Sequence, residues 1–240
     1  MAKTTTVASL GAAFAAGGLR VLLVDLDPQS SLTFSLGLDP DIVEPSITEV
    51  LLKGVGLPDV VHPTDDGVDL VPSTIELAGA EPQLLGRPGR EFVLREALAE
   101  VLPDYDVVLL DCSPSLGVLT LNALTAADTV LVPVQCEMLS HRGVGQLLDT
   151  IADVQRILNT GLTVLGLLPT MYDGRTVHAR AVLADLEARY ELPVLRPPIP
   201  KSIRFAEAPA VGRSVLATAR GSKGAEAYRE VAETIASSWG

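Results

Sequence analysis

Six short apolar runs constrain this chain more than any other feature. RVLLVDLD (20–27), VDLVPS (68–73), YDVVLLDC (105–112), TVLVPVQC (129–136), TVLGLLPT (163–170) and LPVLRPPIP (192–200) read as strands. Most are continuous rather than alternating, the pattern of strands buried on both faces. Around them stand stretches with helical spacing, at 4–16, 90–102, 143–158, 176–190 and about 224–238. Gly17-Gly18 supplies a stop for the first of these helices. Such alternation means right-handed crossovers and an α/β fold, with helices on both faces of a mostly parallel sheet. Segment 54–67, rich in Gly, Pro and Asp, reads as a surface loop. No repeat, low-complexity tract or linker interrupts the pattern, so residues 1–240 are expected to form one domain.

Composition removes several classes of function. The apolar runs fall far short of the roughly 20 residues that a membrane-spanning helix needs. The first residues lack the charged-then-apolar pattern of a signal peptide. Cys112 and Cys136 have no metal-ligand spacing and are expected to be buried free thiols in a reducing compartment. A net charge of −12 argues against a uniformly basic nucleic-acid binder. A local basic patch stays open.

Three motifs carry the chemistry. The opening MAKTTTVASL puts Lys-Thr-Thr ahead of an Ala-rich helix, as at the end of a phosphate-binding loop. There Lys3 would reach the β- and γ-phosphates, the Thr4 hydroxyl would ligate Mg²⁺, and Thr5 would lie beside the nucleotide. An ordinary helix N-terminus capped by Thr explains the same letters. In VLLVDLDPQ, a buried strand ends in Asp25 and Asp27, where ligands of open α/β sheets collect. In VVLLDCSPS, an apolar run ends in Asp111, the place of a second metal-side carboxylate. Each motif alone is common; the three in this order are far less so.

AKTTTVASLGAAFAAGGLRVLLVDLDPQSSLT, DCSPSLGVLTLNALTAADTVLVPVQCE, TMYDGRT and IPKSIRFAEAP…GAEAYRE together resemble the ParA/Soj-type partition ATPases of the MinD-like deviant-Walker group. The likeness runs from Met1 to about Ala236. It implies a P-loop NTPase fold, ATP and Mg²⁺ as cofactors, and an ATP-dependent homodimer. It also implies non-specific DNA and a ParB-like DNA-bound adaptor as partners, with a cytoplasmic, nucleoid-associated location and no membrane. By resemblance Lys3 and Thr4 end the KGGxxKT loop and Asp27 orients the hydrolytic water. Asp25 lies near Mg²⁺, and Asp111 takes the Walker-B position. Thr170, Pro198 and Pro200 fall at the adenine pocket. Arg175 and Arg204 correspond to DNA-binding arginines, with Lys201, Arg213 and Lys223 as neighbours.

The pattern departs from the family at its start. The first loop lysine, the loop glycines and the preceding strand are not in the sequence, which is expected to leave neighbouring strands with unpaired backbone groups. One expectation is that the protein continues upstream as …KGGV-AKTTT, with a GTG codon before Ala2 read as a start. Arg outnumbers Lys 14 to 4, as GC-rich coding favours. The alternative is a degenerate, non-hydrolysing DNA-associated scaffold or regulator. Two rivals stand beside it: a MinD-like membrane-positioning ATPase, for which the acidic terminus YREVAETIASSWG suits anionic lipid poorly, and a metabolic P-loop enzyme such as a reductase iron protein or an amidoligase, which would want paired cluster cysteines or a substrate domain.

Overall fold

A computed structural model describes residues 2–136 and 140–239 and realises the strand–helix alternation. Met1, on which the start of the chain turns, lies outside the described residues. Helix α1 (Ala2–Ala16) leads into β1 (Val21–Leu26), followed by the short α2 (Ser31–Ser35) and α3 (Ile47–Lys53). Next come β2 (His62–Pro63), β3 (Asp69–Val71), α4 (Ala80–Leu85), α5 (Val93–Leu98) and β4 (Val107–Cys112). Then follow α6 (Val118–Ala126), β5 (Thr129–Gln135), α7 (Ser140–Ile157), β6 (Thr163–Thr170) and α8 (Val177–Arg189). The chain closes with α9 (Arg204–Glu207), α10 (Val215–Thr218) and α11 (Lys223–Ser237).

β1 is the centre of the larger sheet, parallel to β3 on one side and β4 on the other, with β2 antiparallel at the β3 edge. All six of its residues are buried, and successive side chains go to opposite faces. Val21 and Leu23 join Leu10 and Phe14 of α1 and Val231 and Ile235 of α11. Leu22, Val24 and Leu26 join Ile47 and Leu51 of α3, Leu94 and Leu98 of α5 and Leu119 of α6. Full burial of each such leucine contributes about 2 kcal/mol, which is why a continuous rather than alternating run marks this strand. Helix α1 approaches β1 closely: a Cβ at Gly11 would lie 2.8 Å from Cδ2 of Leu23.

β5 and β6 form a separate parallel pair, so the sheet is split between β4 and β5. Helix α1 packs against both of these strands and spans the break. Val108, Leu109 and Leu110 of β4 and Val130 and Leu131 of β5 are only half-buried.

Three local expectations are corrected. Residues 192–200 form no strand; Val194 and Pro200 make single bridges to Leu167 and Tyr172. Prolines at 193, 197, 198 and 200 have no N–H to give a ladder. The helix expected over 90–102 shortens to α5, because Asn122 of α6 substitutes for its first turn. Asn122 Oδ1 accepts the Leu94 N–H at 3.1 Å, and its Nδ2 donates to the Arg90 carbonyl at 2.8 Å. The loop over 54–67 holds a 3₁₀ turn, Leu57–Val60, with both end residues fully buried, and strand β2.

Candidate active site

β1 and β4 run in register with Asp25 opposite Asp111. In-register parallel neighbours send their side chains to the same face, with the strands about 5 Å apart. Asp25 shares its face with Val21 and Leu23, the face that α1 covers, so both carboxylates lie on the side of Lys3 and Thr4. The two are 0% and 1% exposed.

Their surroundings differ. Asp25 Oδ1 accepts the Asp27 N–H at 3.1 Å, and Oδ2 accepts the Thr33 N–H at 2.9 Å and the Thr33 hydroxyl at 2.8 Å. Neither oxygen of Asp111 has a hydrogen-bond partner. The Thr4 hydroxyl lies close enough to favour its charged form without making a bond of good geometry. Burial pushes the Asp111 carboxyl up to about 7, and the charge of Asp25 adds to this while Thr4 and Lys3 oppose it. Burial also raises Asp25, to about 6, against the pull of the bonds from Thr33 and Asp27. A buried carboxylate without partners is costly unless something else satisfies it.

A Mg²⁺ ion fits that demand. Among the described residues no group of three His, Cys, Asp or Glu gathers into a cage. Mg²⁺ is ordinarily held by one or two carboxylates together with phosphates and water. Asp111 and the Thr4 hydroxyl suit this role, whereas both oxygens of Asp25 are already engaged. Cys112 and Cys136 are free thiols, as expected, although only Cys136 is fully buried. Burial pushes them up to about 12 and about 11, so neither is a thiolate at neutral pH.

Asp27 lies just beyond β1, half-buried, and its Oδ1 accepts the Gln29 N–H at 2.9 Å. Ser30, in the left-handed region at φ 52°, closes the turn by donating its N–H to the Asp27 carbonyl at 2.8 Å. The Ser73 hydroxyl donates to that same carbonyl at 3.0 Å. Thr33 and Ser73 are absent from the sequence-based set. No local pattern marks them, because Ser73 meets Thr33 across forty residues of chain.

The remaining expected residues gather at the end of β6, except Arg204 and Arg213. Thr170 is buried, and its hydroxyl donates to the Val134 carbonyl at 3.2 Å, tying β6 to β5. Pro198 and Pro200 are half-buried nearby. Arg175, Lys201 and Lys223, with Tyr172, Asp173 and Pro200, line an open cavity of about 470 Å³. Arg175 is held by Asp173 at 2.9 Å while its side chain stays 90% exposed. Arg204 pairs with Glu207 on the surface of α9. Arg213 stands apart: its Nε donates to the buried Asp66 at 3.0 Å and its Nη2 to the Asp65 carbonyl at 2.7 Å. With Thr4 and Thr5 it borders a recess of only about 20 Å³.

Parallel strands ending in buried carboxylates, set against the start of a helix that carries Lys and Thr, define an α/β nucleotide-binding domain of the P-loop class. Comparison with known proteins narrows the class. Residues 1–164 match a family model described as an AAA domain. The chain is 42% identical over 235 residues to the sporulation initiation inhibitor protein Soj of Bacillus subtilis, covering 98% of this chain and 93% of that protein. It is 47% identical over 233 residues to the chromosome-partitioning ATPase Soj of Thermus thermophilus, covering 97% and 90%. A solved structure described as cobyrinic acid a,c-diamide synthase from Mycobacterium smegmatis, with bound ADP and magnesium, is 56% identical with a TM-score of 0.89. That match covers 99% of this chain and 90% of the other, and a companion structure holds an ATP analogue and magnesium. The chain belongs to the ParA/Soj/MinD family of deviant Walker-A ATPases. Among the described residues no helix is long and apolar enough to cross a membrane.

Proposed function

We propose that this chain works as an ATP-driven partition ATPase that coats DNA without reading its sequence. The observation that carries the reading is the in-register pair Asp25–Asp111 beside Lys3 and Thr4, with Asp111 left unpartnered. Lys3 would bind the β- and γ-phosphates, Thr5 would flank them, and Thr4 with Asp111 would hold Mg²⁺. Bound there, Mg²⁺ supplies positive charge to the phosphates as charge develops on them. Asp27 would orient the attacking water, and Asp25 holds the backbone of Asp27 through its N–H. Thr170, Pro198 and Pro200 would border the adenine.

Face-to-face dimerisation with ATP would double the exposed cations Arg175, Lys201, Arg204 and Lys223, so that DNA affinity depends on the nucleotide. Hydrolysis would release the dimer, and a ParB-like adaptor would stimulate turnover at the nucleoid in the cytoplasm. The acidic remainder of the surface, at a net charge of −12, then favours binding only through the assembled patch. The Soj likeness at 42–47% identity supports this. The test is anisotropy of a labelled non-specific duplex with ATP–Mg²⁺, ADP–Mg²⁺ or no nucleotide. Binding is expected with ATP alone, and Asp27→Ala is expected to hold the ATP form on DNA. If about 6–8 phosphates are neutralised, raising salt from about 50 to 200 mM costs roughly 10³-fold in affinity. Equal binding in all three states would point instead to the non-hydrolysing scaffold.

The likeness to the chain described as a cobyrinic acid a,c-diamide synthase favours a second reading, ATP-dependent amidation of a carboxylic acid. ATP consumption with cobyrinic acid and an ammonia donor, compared with consumption on DNA, separates the two. Stimulation by DNA alone is expected.

A further inference from the structure

Thr33 bridges the ends of the paired strands β1 and β3, just past the last ladder pair, Val24–Val71. The Ser73 N–H, just beyond β3, donates to Thr33 Oγ1 at 2.9 Å. A backbone N–H can only donate, so Oγ1 must accept there, and its one proton goes to Asp25 Oδ2 at 2.8 Å. The Thr33 N–H donates to that same oxygen at 2.9 Å. Asp25, Thr33 and Ser73 are each 0% exposed, so no water competes for these bonds. The Ser73 hydroxyl meanwhile donates to the Asp27 carbonyl at 3.0 Å. The end of β3 therefore grips the loop twice, at the Asp25 carboxylate through Thr33 and at the Asp27 backbone directly.

We propose that Thr33 is a positioning residue for hydrolysis: its hydroxyl relays a hydrogen bond of fixed direction from Ser73 to Asp25 and so sets where Asp27 is presented. The kinetic part of this rests on the ATPase reading; the relay itself does not. The isosteric Thr33→Val keeps the shape and removes the relay, while Thr33→Ser keeps the relay and removes a methyl group.

The experiment measures backbone amide exchange of the full nucleotide-free chain by NMR, together with DNA-stimulated ATP turnover and the affinity for a fluorescent ADP. In Thr33→Val the Ser73 amide is expected to exchange about tenfold faster, and kcat to fall about tenfold, with KM and ADP affinity within about twofold. Thr33→Ser is expected to match the unchanged protein in all of these. A Ser73 amide as protected in Thr33→Val as before, or a Thr33→Ser as defective as Thr33→Val, would overturn the relay. Should Thr33→Val not fold, Thr33→Cys takes its place, since a thiol of similar volume is a weak donor and acceptor. If the unchanged protein turns over no ATP, the ATPase reading fails, and Ser73 exchange still decides the relay.

Discussion

The acidic end of β1 and β4 and the basic rim beyond β6 carry their charges in opposite ways. Asp25 and Asp111 are sealed from water, and one of them has no partner. Arg175, Lys201, Arg204 and Lys223 stand in solvent, and Arg175 and Arg204 rest on neighbouring carboxylates that cost little to leave. A buried, unpaired charge makes a site that demands one particular counter-charge. Exposed charges make a surface whose affinity grows only by number, as contacts to a repeating phosphate backbone do. Arg213 crosses this division: partly exposed itself, it is tied to the buried carboxylate of Asp66.

The largest expected effect tests the acidic end. Asp111→Asn removes the unpartnered charge, and affinity for Mg²⁺–nucleotide should fall by about 100-fold or more in titration calorimetry, since a lost charged contact is worth about 3 kcal/mol. Retained affinity would show that Asp111 does not face the ligand.

Next is the pH dependence of the free protein. The carboxyls of Asp25 and Asp111 lie at about 6 and about 7, above the ordinary value of 3.8. Between pH of about 4 and about 7 the folded chain keeps protons that the unfolded chain has released. Stability therefore falls as pH rises through that window and levels off above it. Asp106 and Asp173, held down to about 2 by Arg20 and Arg175, act in the opposite sense, with stability lost only as pH falls below about 4. Urea midpoints across this range measure the slope, and Asp111→Asn should flatten its upper part.

Arg213→Ala sharpens the division itself. It leaves the buried Asp66 carboxylate with the Ser214 N–H on Oδ2 but, among the described residues, nothing on Oδ1, and should cost about 2 kcal/mol of stability, while DNA affinity changes little. Arg175→Ala should show the reverse and the smallest effect, about 1 kcal/mol in DNA affinity and a salt slope shallower by about 0.9, with only a small shift of the unfolding midpoint, since its pair with Asp173 is exposed. If the two arginines exchanged these phenotypes, the assignment of interior and rim would be wrong.

What the sequence revealed follows the same line between local and distant. The continuous run of β1, the DxD at its end and the apolar run before Asp111 are local signals, and the strands and carboxylates they imply stand where expected. Residues 192–200 misled because apolar content outweighed four prolines that cannot join a ladder. Thr33, Ser73 and Asp66 left no trace, since each acquires its role from a partner far along the chain. The short α3 could have been read from the capping box of Ser46 and Glu49, which the six apolar runs overshadowed.

The break between β4 and β5 bears on how the protein holds together. A sheet ordinarily fuses its strands into one cooperative unit through continuous backbone ladders, but among the described residues no ladder crosses between the four-stranded and two-stranded parts. The parts are coupled through side-chain packing: Leu131 of β5 and Leu168 of β6 share one core with Val21 and Leu23 of β1, and α1 packs on both sides. Helix α1 is thus the stitch that holds the two ladders in one core.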